Sequence, residues 1–201
     1  MGETTSGSKD FVDAFRADLL SLPVRDVIRK HISTGRPYAF SEGEYYGLRS
    51  TVANEFKLHP SSVIIVGSTR IGFSLNPKHR FKPVHANSDI DIAIVSQERF
   101  DDYWERVFQY SMANLAWEAG RFKNTLFKGW IDPRYLPNTP SFQEAQQWVR
   151  FFDGLMRSRQ YGRRRITARL YRSWDRLETY QEQSVMACKL LLRSSDERKA
   201  K

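Results

Sequence analysis

Ser62-Val63-Ile64-Ile65-Val66-Gly67-Ser68 and, after residues 69–88, Asp89-Ile90-Asp91-Ile92-Ala93-Ile94-Val95 decide how this chain folds. Four consecutive β-branched residues bounded by Pro60 and Gly67 predict a central strand buried on both faces. The second stretch alternates and then runs apolar, which predicts a second central strand. A third strand is expected over 163–171, where Ile166, Ala168 and Leu170 alternate with Arg165, Thr167, Arg169 and Tyr171.

Helical spacing surrounds these strands. Phe11, Val12, Phe15, Leu19 and Leu20, then Val24, Val27, Ile28 and Ile32 after Pro23, predict two helices or one kinked helix ending near Gly35. Ser41 with Glu44 is a capping box that opens a helix ending before His59-Pro60. A long helix is expected over 97–119 and a short one within 121–130, followed by a proline-containing loop over 131–140. Ser141 with Glu144 is a second capping box, before the apolar face of Trp148, Phe152 and Leu155. A final helix starts near Ser173. The fold class expected is α+β: a small mixed sheet of at least three strands flanked by helices. Residues 1–9 read as a disordered leader, 10–58 as an N-terminal helical extension, 62–193 as the core of the same domain and 194–201 as a charged tail.

Strand alternation places Asp89 and Asp91 on one face. Their spacing along the strand is about 7 Å, close enough to share or bridge hard cations. Charge beside a core strand is costly unless it is paired or binds metal. Magnesium suits such a pair, because it takes oxygen ligands and keeps waters and substrate phosphates. Gly67 lets the backbone approach a phosphate closely. The hydroxyls of Ser68 and Ser88 and the planar cation of Arg70 complete a candidate phosphate cradle.

The order glycine-serine after one strand, then aspartate-x-aspartate on the next, resembles the nucleotidyltransferase superfamily typified by DNA polymerase beta. The resemblance covers residues 62–96, and more loosely the third strand and last helix. It implies that Gly67 and Ser68 hold a nucleoside triphosphate while Asp89 and Asp91 bind two magnesium ions. It also implies transfer of a nucleoside monophosphate to an acceptor hydroxyl, with release of pyrophosphate.

Two features depart from that pattern. The segment 69–88 is long and basic, and reads either as a substrate clamp or as a solvated loop. The third strand carries no acid where the family usually places a third carboxylate, often the general base. The nearest candidate is Asp175, at the start of the last helix; Asp132 and Asp153 lie off the strands.

The chain has 201 residues and a net charge of +9, and a basic surface of this kind attracts polyanions. Arg163, Arg164, Arg165, Arg169 and Arg172, with Lys78, Arg80 and Lys82, are candidate contacts to nucleic acid or phosphate. Trp130, beside Gly129, is a candidate for stacking on a base. The single cysteine, Cys188, excludes a disulfide within the chain and reads as a buried apolar residue. No apolar run approaches the roughly 20 residues of a membrane span, and a cytoplasmic location is expected. Three functions follow. The first is a metal-dependent nucleotidyltransferase acting on a protein, RNA or small-molecule hydroxyl. The second is a noncatalytic module of the same fold that binds nucleotide, RNA or a partner protein, with toxin–antitoxin or phage-defence systems as the settings the resemblance implies. The third is a basic nucleic-acid-binding protein with a purely structural D-x-D.

Overall fold

A computed structural model describes residues 4–113, 117, 119–140 and 142–199, with side chains described between Asp10 and Ser194. Four strands form one sheet in the order β1 (Val63–Val66), β2 (Ile90–Val95), β4 (Ile166–Tyr171), β3 (Trp130–Ile131). β1 runs antiparallel to β2, with Val66 opposite Asp91. β2 runs parallel to β4, with Asp91 opposite Thr167. β3 is antiparallel to β4 and touches only Leu170 and Tyr171. The sheet is therefore mixed and the fold is α+β.

Side-chain alternation gives each sheet face its own core. Val63, Ile65, Ile90, Ile92, Ile94, Ile166, Ala168 and Leu170 pack beneath α3 (Glu42–Phe56), α5 (Gln97–Ala113) and α7 (Gln143–Arg157). Ile64, Val66, Ala93, Val95 and Tyr171 pack beneath α1 (Thr4–Ser21), α2 (Val24–Ile28) and α8 (Trp174–Lys199). Every residue of β1 is buried, as expected for a strand covered on both sides. The helices before Ser62 thus clamp both faces of the sheet. Phe15 and Leu19 of α1 are fully buried.

Local chemistry explains the boundaries. Pro23 separates α1 from α2, and a π-helical turn over Arg29–Ser33 follows. The Ser41–Glu44 capping box opens α3 with both reciprocal hydrogen bonds in place. The second capping box falls on Ser141, outside the described residues; α7 starts at Gln143, and Glu144 pairs with Arg106 at 2.6 Å. The expected long helix ends at Ala113, and Leu115 lies outside the described residues. α6 (Gly120–Phe127) is followed by β3, where the sequence predicts a helix end and a loop. α1 opens at Thr4, inside the segment expected to be a leader, and α8 continues through Lys199, inside the expected tail.

Residues 69–88 fold back on themselves. Ser74 N–H donates to Lys82 O at 3.0 Å, Phe81 N–H to Ser74 O at 2.8 Å and Val84 N–H to Gly72 O at 2.9 Å. Phe73 is buried and stacks edge-on against Phe15 of α1, 5.2 Å between centroids. The segment is thus a flap anchored at Phe73, with Asn76, Pro77, Lys78, His79, Lys82, Pro83 and His85 exposed to solvent. Among the described residues no helix is long and apolar enough to cross a membrane.

Candidate functional site

Antiparallel pairing brings the end of β1 beside the start of β2. Parallel pairing then adds the start of β4. Gly67, Asp91 and Thr167 meet at this end of the sheet. Gly67 has φ 72° and ψ −157°, a conformation essentially reserved for glycine. A Cβ there would lie 2.9 Å from Asp91 Oδ2. The bare backbone is what allows the carboxylate this close. The other carboxylate oxygen, Oδ1, accepts a hydrogen bond from Thr167 Oγ1 at 2.7 Å. Asp91 is therefore held from both neighbouring strands.

Gly67, Ser68, Asp91, Thr167 and Arg169 share the wall of one cavity of about 450 Å³, within the range of small-ligand sites. The flap supplies a further wall through Ser74, Leu75, Asn76 and Pro77, and α8 closes the far side with Tyr180, Gln181 and Ser184. A second cavity of about 390 Å³ lies across the β4 edge that the two-residue β3 leaves uncovered. Asp89, Asp91, Asp132, Asp153, Arg165 and Arg169 border it, beside Trp148 and Phe152 of α7. Asp91, Thr167 and Arg169 belong to both cavities and separate them.

Arg169 is fixed in place. Its Nε meets Asp132 Oδ2 at 3.2 Å, its Nη1 donates to Tyr180 Oη at 3.0 Å, and its guanidinium lies over the Trp130 ring at 5.4 Å. Burial disfavours this cation, but the phenol oxygens of Tyr180 and Tyr171 and the Asp132 carboxylate outweigh burial and raise its pKa. Asp132 is only 2% exposed. Burial pushes its carboxyl up, yet hydrogen bonds from Arg134, and then Arg169, hold it below the usual carboxylate range. The sequence offers Asp132 only as a further acid off the strands; the fold pairs it with Arg169, 37 residues away.

Several sequence expectations are corrected here. The guanidinium of Arg70 does not reach the cradle. It is 3% exposed and donates to the main-chain carbonyls of His31 (3.2 Å) and Gly35 (2.7 Å), tying down the π-helical turn. Ser88 borders neither cavity and accepts the His85 N–H at 3.0 Å. Asp175 pairs with Arg25 at 2.7 Å, away from both cavities. The arginine group is dispersed. Arg165 and Arg169 face the second cavity, whereas Arg163 is exposed outside both. Arg164 donates to Ala86 O and lies over Phe40. Arg172, past the opposite end of β4, pairs with Asp101 at 3.3 Å. Lys78, Arg80 and Lys82 sit on the flap, and none lines a cavity. Trp130 packs edge-on against Tyr180 instead of presenting a free stacking face. The third-strand position opposite Asp91 holds Thr167, not Arg169, because Arg169 pairs with Ala93.

Asp89 and Asp91 are hard oxygen donors of the kind magnesium takes; Asp91 borders both cavities with the Thr167 hydroxyl bonded to it, whereas Asp89 borders the second cavity but not the larger one. Among the described residues there is no group of three or more His, Cys, Asp or Glu side chains arranged to hold a metal ion. Two carboxylates fit an ion whose remaining ligands are waters and substrate phosphates. A scan against protein-family models found no matching family, and searches of curated proteins and of solved structures found no match.

Proposed function

We propose that the chain is a metal-dependent nucleotidyltransferase of the polymerase-beta type, with the larger cavity holding a nucleoside triphosphate and the second receiving the acceptor. The observation that carries this reading is the placement of the Asp91 carboxylate against the bare Gly67, where a Cβ would lie 2.9 Å from Oδ2, with Ser68 lining the same cavity. It supplies a carboxylate for magnesium beside a backbone that leaves room for phosphate. A metal held by Asp89 and Asp91 would neutralise phosphate charge and polarise the α-phosphorus.

The protein groups then have separate tasks. Gly67 and Ser68 border the space for the phosphates. Thr167 fixes the orientation of Asp91. Arg169, charged and immobile between the cavities, stabilises negative charge gathering on the transferred phosphoryl group. In the reaction the acceptor hydroxyl oxygen bonds to the α-phosphorus, the bond from that phosphorus to the bridging oxygen breaks, and pyrophosphate leaves. Asp153, a carboxylate on the second cavity that has no part in holding the metal, takes the hydroxyl proton. The acceptor is a hydroxyl of a protein, an RNA or a small molecule.

A noncatalytic nucleotide-binding module is the second reading, favoured by one observation: Thr167 stands opposite Asp91 where a third carboxylate would complete the donor set. One experiment separates the two. The protein is incubated with each labelled nucleoside triphosphate, magnesium, and RNA or cell extract as acceptor. Pyrophosphate together with label on an acceptor, both lost in Asp91→Ala, supports the transferase. Magnesium-dependent nucleotide binding without pyrophosphate supports the module. Neither binding nor turnover removes both.

A further inference from the structure

Past the end of β4 remote from Thr167, α5 and α6 present an apolar face to solvent. Trp104, Phe108 and Met112 recur every four residues along α5 and are all exposed, with the Trp104 and Phe108 rings stacked 5.7 Å apart. Phe127, the last residue of α6, is 89% exposed. An open groove between the two helices is lined by Trp104, Leu126 and Phe127. It shares no lining residue with either cavity described above. Exposed aromatic clusters of this kind mark contact surfaces.

The charges around the groove narrow the partner. α5 contributes Asp101 and Glu105, α6 contributes Lys123, and Arg172 follows β4. Two acids balance two bases here, on a chain whose net charge is +9. A polyanion gains nothing at a balanced surface and is drawn to basic ones. A second copy of the chain, repelled elsewhere by like charge, meets the least repulsion at this face. The signs are also sorted between the helices. Arg172 pairs with Asp101 at 3.3 Å. Glu105 accepts from Gln109 Nε2 at 2.6 Å, and Lys123 forms no ion pair among the described residues. Turned about a twofold axis, the acidic α5 of one copy faces the basic Lys123 of the other, as a self-complementary contact requires. Shape agrees with charge, because each copy carries both a protruding ring, Phe127, and a groove to receive one.

We infer that this face joins two copies of the chain in a twofold dimer. Phe127 of each copy seats in the groove of the other, and Glu105 stands opposite Lys123 across the axis.

The test is sedimentation equilibrium of the full chain over a concentration series, with circular dichroism to verify folding. The wild type sediments as a dimer that dissociates on dilution. Trp104→Glu and Phe127→Glu each weaken association at least about 30-fold, the loss of an interface anchor. Both positions are exposed, so the monomer tolerates charge there. Glu105→Lys alone, or Lys123→Glu alone, sets like charges against each other twice and weakens association about 10-fold. An equimolar mixture of these two variants restores opposite signs at both contacts and associates about as tightly as wild type. A wild type that is monomeric at every concentration overturns the inference and leaves the face to a different protein. A dimer indifferent to both charged aromatic variants overturns it too, as does a mixture no tighter than its separate components.

Discussion

Replacing Gly67 by alanine tests whether the glycine is there for Asp91. The substitution has two separable costs. The first is conformational: φ 72° with ψ −157° is a region where a side chain costs on the order of 1–3 kcal/mol. The second is steric. The new Cβ would lie 2.9 Å from Asp91 Oδ2, and the carboxylate cannot simply swing aside, because Thr167 holds its other oxygen at 2.7 Å. Overpacking of this kind costs on the order of 1–3 kcal/mol. Together the loss is about 4 kcal/mol, or roughly 8–16 °C in Tm for a chain of this size. Urea denaturation followed by circular dichroism measures it. The decisive comparison is the same substitution in an Asp91→Ala background, where the steric part disappears and the conformational part remains. The predicted coupling between the two sites is about 1–2 kcal/mol. Strict additivity, with Gly67→Ala costing the same in both backgrounds, would show that the glycine serves the turn alone and would refute the argument.

Arg70→Met should destabilise the fold by on the order of 1–3 kcal/mol, because it leaves the carbonyls of His31 and Gly35 without their donor. Nucleotide affinity of the folded variant, measured by titration calorimetry, should stay within about twofold, a prediction from the remote placement of the guanidinium. Asp132→Asn should cost about 2 kcal/mol, below the roughly 3–5 of a fully buried pair because Arg134 is 58% exposed on its side chain. The depressed pKa of Asp132 in the fold means that its contribution is complete above the unfolded value, about 4, and is lost as pH falls through the lower folded value. Urea midpoints taken from pH 5 downward should therefore fall less steeply in Asp132→Asn than in wild type. Thr167→Val removes the donor to Asp91 and should weaken magnesium-dependent nucleotide binding by about 10-fold, the equivalent of one hydrogen bond to a charged group. Unchanged affinity would remove Thr167 from the positioning role.

The strands were legible because their signals are local. Val63 to Val66 is an uninterrupted β-branched run, and Asp89 to Val95 alternates before it turns apolar, so neither needed tertiary context. The meeting of Gly67 with Asp91 follows from two such strands pairing antiparallel. What escaped depends on partners far along the chain. Arg70 is attractive to phosphate by chemistry, but its acceptors lie on a turn 35 and 39 residues earlier. Thr167 gains its importance from the parallel register of β2 and β4, which no spacing encodes. β3 is two residues long and offers no periodicity. Without it, the open edge of β4 and the second cavity could not be anticipated.

Calorimetric titration of ATP into the protein, with magnesium and with a chelator, in wild type and in Asp91→Ala, tests the central claim most directly. The account predicts binding that requires magnesium and is lost in the variant while the variant remains folded. Equal binding in the variant, or no binding in the wild type, would contradict it.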